Sequence, residues 1–169
     1  MKKYILLFSF LFITSLVPLS STAASLGLSV RGGLFIPTGS KNVTSIWGAS
    51  YELMNLGPLK GSISPGSINI SADYYAPNSH NRRIPILLNY KKDILSFYLS
   101  AGAGFSINTV RSSLSDDQHS LSFAYQFSVG HNMLAGLVPL FVEARYLGAA
   151  GSKDVQSLNG IGLFAGVRF

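Results

Sequence analysis

Few side chains in this 169-residue chain could do chemistry, and their spacing narrows what that chemistry can be. The stretch Asp116-Asp117-Gln118-His119-Ser120 puts carboxylates, an imidazole and a hydroxyl close together. A nucleophilic acyl transfer needs such groups: a hydroxyl, a base to activate it, and a third group to orient the base. In an extended segment, however, His119 and Ser120 are adjacent and point to opposite faces. A solvated loop is the plainer reading, so no catalytic residue is expected. His80, His119 and His131 lack any ligand spacing, so no metal site and no other cofactor are expected either.

The other reactive groups are ionised side chains set singly into apolar, alternating segments: Arg31, Glu52, Asp73, Glu143, Arg145 and Arg168. Three of each sign in a narrow, water-poor interior would satisfy one another and hold that interior shut. The same groups could instead line a gated ion path. Both readings require the six to face inward.

About eight segments alternate with period two, the signature of a strand. They cover Leu26 to Ile36, about Ser45 to Met54, Ser67 to Tyr75 and Arg83 to Lys91, then Ile94 to Ile107, Ser120 to Gly130, Val138 to Leu147 and Gly160 to Phe169. No segment has the 3.6-residue period of an amphipathic helix, so the chain reads as all-β. Long polar connections (Ile36 to Thr44, Tyr75 to Arg82, Asn108 to His119, Gly148 to Asn159) alternate with short ones at Lys91-Lys92-Asp93 and His131 to Leu137. That alternation puts the long loops at one end of an up-and-down barrel. The stretch Asn55 to Gly66, with Pro58 and Pro65, is the exception, read as a turn plus an irregular start to the third strand.

Composition decides which face meets which solvent. Only 12% of residues are charged and 47% are hydrophobic, a poor recipe for a water-facing exterior. The polar faces hold about one charge per strand, whereas the apolar faces carry none centrally. Trp47, Tyr51, Tyr74, Tyr90, Phe105, Tyr146 and Phe169 fall near segment ends, where an interfacial aromatic girdle would lie. Apolar side chains therefore face lipid. A β-structure in lipid has to close, because hydrocarbon cannot satisfy an open edge. The expectation is a closed eight-stranded antiparallel up-and-down transmembrane β-barrel.

The chain opens with Lys2 and Lys3, an uncharged run from Tyr4 to Leu19, and then Ser20-Ser21-Thr22-Ala23-Ala24. This three-part pattern marks residues 1–24 as a secretory signal peptide, cut after Ala24 or Ala23, with residues 25–169 forming the barrel domain. The apolar run is shorter than the roughly 20 residues of a spanning helix. Cysteine is absent, which excludes both disulfide staples and a lipid-modified lipoprotein. The net charge of +6 includes Lys2 and Lys3, leaving +4 without the leader and no Lys/Arg run beyond doublets, so no nucleic acid partner is expected. Loop charges Lys41, Arg82, Arg83, Arg111 and Lys153 slightly outnumber Asp116, Asp117 and Asp154. That excess suits the phosphates of lipopolysaccharide, although ordinary solvated loops are the plainer description.

The segments LSAGAGFSIN (Leu99 to Asn108), SFAYQFSVG (Ser122 to Gly130), PLFVEARYLG (Pro139 to Gly148) and the final GIGLFAGVRF resemble the small eight-stranded outer-membrane barrels of Gram-negative bacteria, the OmpA-like/OmpX-like group. The similarity is firm over the last four strands and loose over the first four. It implies an outer-membrane location and insertion by the barrel-assembly machinery. Ala165, Val167 and Phe169 match the C-terminal signal which that machinery reads. These motifs mark no activity, and the role expected of the chain is a non-enzymatic structural or surface-interaction one through outer loops, where recognition on a rigid scaffold usually resides and whose ligand the residues do not name. A narrow pore or a lipid A-modifying enzyme are the alternatives.

Overall fold

Period-two patterning becomes eight antiparallel strands in a computed structural model, which describes residues 27–38, 42–56, 66–76, 81–110, 118–135, 138–150 and 159–169. The strands are β1 (Leu28–Pro37), β2 (Thr44–Asn55), β3 (Ser67–Tyr75), β4 (Asn81–Ile94), β5 (Phe97–Val110), β6 (Gln118–Ala135), β7 (Val138–Ala150) and β8 (Gly160–Arg168). Each pairs with its sequence neighbours, and β1 pairs with β8 to close the barrel. The Phe169 amide donates to the Leu28 carbonyl at 2.7 Å, extending that seam by one bond. Closure leaves no unpaired edge. The leader expected at residues 1–24 lies outside the described residues.

Two turns fall later than the residue types suggest. Lys91-Lys92-Asp93 belongs to β4, paired with Ser100, Leu99 and Tyr98 of β5, and the chain reverses at Leu95-Ser96. Likewise β6 runs through His131 to Ala135, where the residue types suggest a connection. Polar side chains do not interrupt a ladder whose bonds are made by the backbone, so composition marks the edge of the apolar belt rather than the strand end. Leu95 sits at φ 58° and is 96% exposed, so it adopts the left-handed region without any packing in return. Two-residue hairpins with a positive φ at their first position favour glycine there. Leu95→Gly should therefore stabilise the barrel by about 0.5–1 kcal/mol, after the entropy that glycine costs in the unfolded chain. Urea unfolding of the refolded protein reads it.

Among the described residues, four glycines sit directly opposite an aromatic partner whose ring lies over them. The pairs are Gly32 with Trp47, Gly130 with Tyr98, Gly148 with Tyr125 and Gly166 with Phe141. A Cβ at any of these glycines would lie 2.1–2.5 Å from a ring atom. The space left by the missing side chain is filled by the neighbouring strand's ring.

Candidate functional site

Alternation sends Arg31 of β1, Asp73 of β3, Tyr98 of β5, and Glu143 and Arg145 of β7 into the lumen, where they form one network. The Asp73 carboxylate accepts from Arg31 Nε and Nη2 at 2.9 Å each, and from Arg145 Nη1 at 2.8 Å. The fork from Arg31 is bidentate, the strongest form of such a pair. Glu143 lies two residues before Arg145, hence on the same face, and accepts from its Nε at 2.6 Å. Tyr98 Oη donates to the other Glu143 oxygen at 2.6 Å. All four charged residues are buried, Asp73 to 1% exposure. Gly48 stands opposite Asp73, and a Cβ there would fall 1.9 Å from Asp73 Oδ1, so glycine makes the room this carboxylate occupies.

On seven strands an apolar side chain lies beyond the polar one, towards the end away from the termini. Phe35 lies beyond Arg31, Ile46 beyond Ser50, Tyr75 beyond Asp73, Leu87 beyond Asn89, Ala124 beyond Gln126, Leu147 beyond Arg145, and Phe164 beyond Arg168. These seven form one buried cluster across the lumen. The Phe164 ring packs against the guanidinium carbon of Arg145 at 4.8 Å and of Arg31 at 5.6 Å, joining the apolar layer to the charged one. Towards the termini the lumen holds a polar cavity of about 30 Å³, room for a few waters, beside Gln126 and Asn89. Gln126 donates to Asn89, and Asn89 donates to Ser71 Oγ at 2.9 Å.

Among the described residues, the remaining inward charges expected in this network make no hydrogen bond to its carboxylates. Arg168 rests between the Tyr98 and Phe141 rings, 5.7 and 5.4 Å from their centroids, and Glu52 lies near the same end of the barrel. Lys91 also reaches the Tyr98 ring, at 5.3 Å, while bonding Asp93 at 3.2 Å. Residue types place Arg82 and Arg83 in an outer loop, but both belong to β4. Arg83 faces inward, is 3% exposed and donates to Tyr75, so it is a fourth lumen arginine. The alternation that starts at Arg83 and runs through Pro85, Leu87 and Asn89 carries that signal. Ala165, Val167 and Phe169 share the outward face of the closing seam.

His119 and Ser120 take opposite faces of β6: the imidazole is exposed and its Nδ1 meets Thr109 Oγ1 at 3.1 Å. His131 packs against Phe97 with the rings tilted by 44° and centroids 4.6 Å apart. His80, Lys41, Arg111, Asp116, Asp117, Lys153 and Asp154 lie outside the described residues. Among the described residues, no group of three His, Asp or Glu side chains could hold a metal ion.

The outer wall is the reverse of the lumen. Along β4, Ile84, Ile86, Leu88 and Tyr90 point outward at 38–55% exposure, and Leu121, Phe105 and Phe127 on neighbouring strands reach 59–67%. Among the described residues, the outward positions carry two charges, Arg82 and Lys92, near opposite ends of β4. Ten residues of strand cover about 33 Å, or about 25 Å of height at a 40° tilt. That is the height of the apolar band on a membrane-spanning barrel, roughly 25 Å.

No protein-family model matches the chain, and no curated protein does. Solved structures do match in fold. The N-terminal β-barrel domain of Pseudomonas aeruginosa OprF is similar with a TM-score of 0.56 at 11% identity, covering 86% of this chain and 98% of that one. The Yersinia pestis outer membrane protein Ail in a phospholipid nanodisc gives 0.51 at 15%, covering 85% and 99%. The outer membrane enzyme PagL gives 0.51 at 17%, covering 83% and 99%. The fold is that of the small eight-stranded barrels of outer membranes.

Proposed function

We propose that this chain is an outer-membrane barrel without enzymatic activity, serving as a rigid scaffold whose loop end meets the outside. The observation that carries this reading is the filled lumen. A buried ion network and an apolar cluster occupy successive layers of a cylinder just wide enough for side chains. The outer wall, of membrane height and charged only near its two ends among the described residues, supports the placement, as does the likeness to three outer-membrane barrels. With eight strands both termini share one side, and the expected leader makes that side the periplasm. Phe169, bonded into the closing seam, would then be available to the barrel-assembly machinery together with Ala165 and Val167. The long loops, on a rigid scaffold, are where surface recognition would reside.

A narrow pore is the second reading, favoured by the polar cavity in the terminal half of the lumen. Purified protein in planar bilayers separates the two: the filled lumen gives a quiet membrane, and steady openings would refute it. The third reading, a lipid A-modifying enzyme, needs Ser120 and His119 to cooperate. They face opposite ways, and the imidazole bonds Thr109 instead. Ser120→Ala should leave the lipid A mass profile unchanged. Membrane fractionation with heat-modifiable gel mobility tests location and fold together.

A further inference from the structure

We propose that Arg82, Thr109 and His119 form a binding site for the phosphate monoester of a lipid in the leaflet at the loop end of the barrel. The site rests on the membrane placement proposed above and adds a ligand to it. The ladder puts these three side by side: Arg82 pairs with Thr109, and Thr109 with His119. Directly paired neighbours on one face stand about 4.5–5.5 Å apart, so the row spans about 10 Å, the reach of one phosphate group with its bonded donors. Arg82 and His119 are exposed and Thr109 is half-buried, all on the outward face.

The chemistry is that of anion capture. Arg82 offers a planar fork suited to phosphate oxygens. When Thr109 donates to His119 Nδ1, the imidazole proton resides on Nε2, which is left to donate outward. Among the described residues no carboxylate pairs with Arg82. The carboxylates nearest His119 in sequence, Asp116 and Asp117, fall outside the described residues.

The row beneath identifies the ligand as a lipid rather than a soluble anion. Two residues further along the same three strands, towards the barrel's mid-height, stand Ile84, Ile107 and Leu121, and then Ile86, Phe105 and Phe123. These six side chains are 38–67% exposed and form a continuous apolar track that starts about 7 Å below the polar row. A molecule that fits both levels has an anionic head and acyl chains. Elsewhere on the loop-end rim, the outward positions Ile36, Ser45, Trp47, Tyr74, Ala150 and Ile161 carry no charge, so this row is the local exception.

Native mass spectrometry of the protein folded in detergent micelles tests the assignment, with lipid A and dephosphorylated lipid A as probes. The expected result is preferential binding of the phosphorylated form. Arg82→Gln should weaken it about tenfold, the loss of one charge-assisted contact, and Arg82→Lys, which keeps the charge but not the fork, should weaken it less. His119→Gln should weaken it less, and Lys92→Gln at the opposite end should leave it unchanged. Equal binding of the two lipids, or an unaffected Arg82→Gln protein, overturns the proposal. Full displacement by millimolar inorganic phosphate would assign a free-anion site and overturn the lipid. Heat-modifiable mobility confirms that each variant folds, and fractionation of cells reads the membrane placement on its own, so failure of one idea is told from failure of the other.

Discussion

Replacing Asp73 by alanine is expected to lower the unfolding free energy by about 3–5 kcal/mol, the cost of leaving a buried charge without its partner. The reason is geometric. Asp73 is the single carboxylate that both Arg31 and Arg145 address, and three hydrogen bonds end on it. Its removal takes a carboxylate from two guanidinium groups that are buried beside the Phe164 ring. Arg145 keeps its hydrogen bond to Glu143, whereas the hydrogen bond left to Arg31 among the described residues is a long one of 3.4 Å to Ser50. Adding Arg31→Met to Asp73→Ala should therefore recover a substantial part of the loss, because a buried apolar chain costs less than an orphaned cation. Urea titration followed through Trp47, the one tryptophan, measures both proteins. A loss below about 1 kcal/mol for Asp73→Ala, the range of a solvated pair, would mean that the lumen is wet at this level.

The second large effect belongs to the outer wall. Leu163 of β8 points outward at 49% exposure, paired between Leu34 and Ala144. An arginine there in a folded, lipid-embedded barrel is expected to cost about 2–4 kcal/mol, as it does at a bilayer midplane. Val138→Arg, at the first position of β7, should cost about 0–1 kcal/mol because the guanidinium can reach the interface. Refolding the two variants into liposomes and titrating with denaturant compares them directly. Equal, small costs at both positions would sink the membrane reading, because a water-facing wall has no depth dependence.

Strand alternation gave the facing of nearly every residue, because period two is written locally: Arg31, Asp73, Glu143 and Arg145 share the inward face that their spacing implies. Height was hidden. Whether Phe164 lies above Arg145, or Leu147 beside Phe35, depends on the stagger between strands distant in sequence, and no local pattern encodes stagger. The inward faces read from the sequence as mainly polar with scattered apolar residues such as Leu87 and Phe164, yet Phe35, Ile46, Tyr75, Leu87, Leu147 and Phe164 gather in the loop-side half of the lumen. The role of Tyr98 as donor to Glu143 was hidden for the same reason, with 45 residues between them. The inward role of Arg83 was obscured by its neighbours: Asn78, Ser79, Asn81 and Arg82 are polar, so Arg83, at the first position of the expected strand, reads with the loop charges.

The glycines facing Trp47, Tyr98, Tyr125 and Phe141 bear on how one stagger is chosen over its rivals. Sliding a strand by one position turns its greasy side inward, and solvation rejects that error unaided. Sliding by two keeps every face correct, so solvation is blind to it. The rings are not. After such a slide Trp47 would confront Val30 or Leu34, Tyr98 would confront Ser128 or Asn132, and Phe141 would confront Phe164 or Arg168. Each aromatic plate then acts as a detent that drops into its notch at a single setting, so proofreading of the barrel's shear is built into the wall itself.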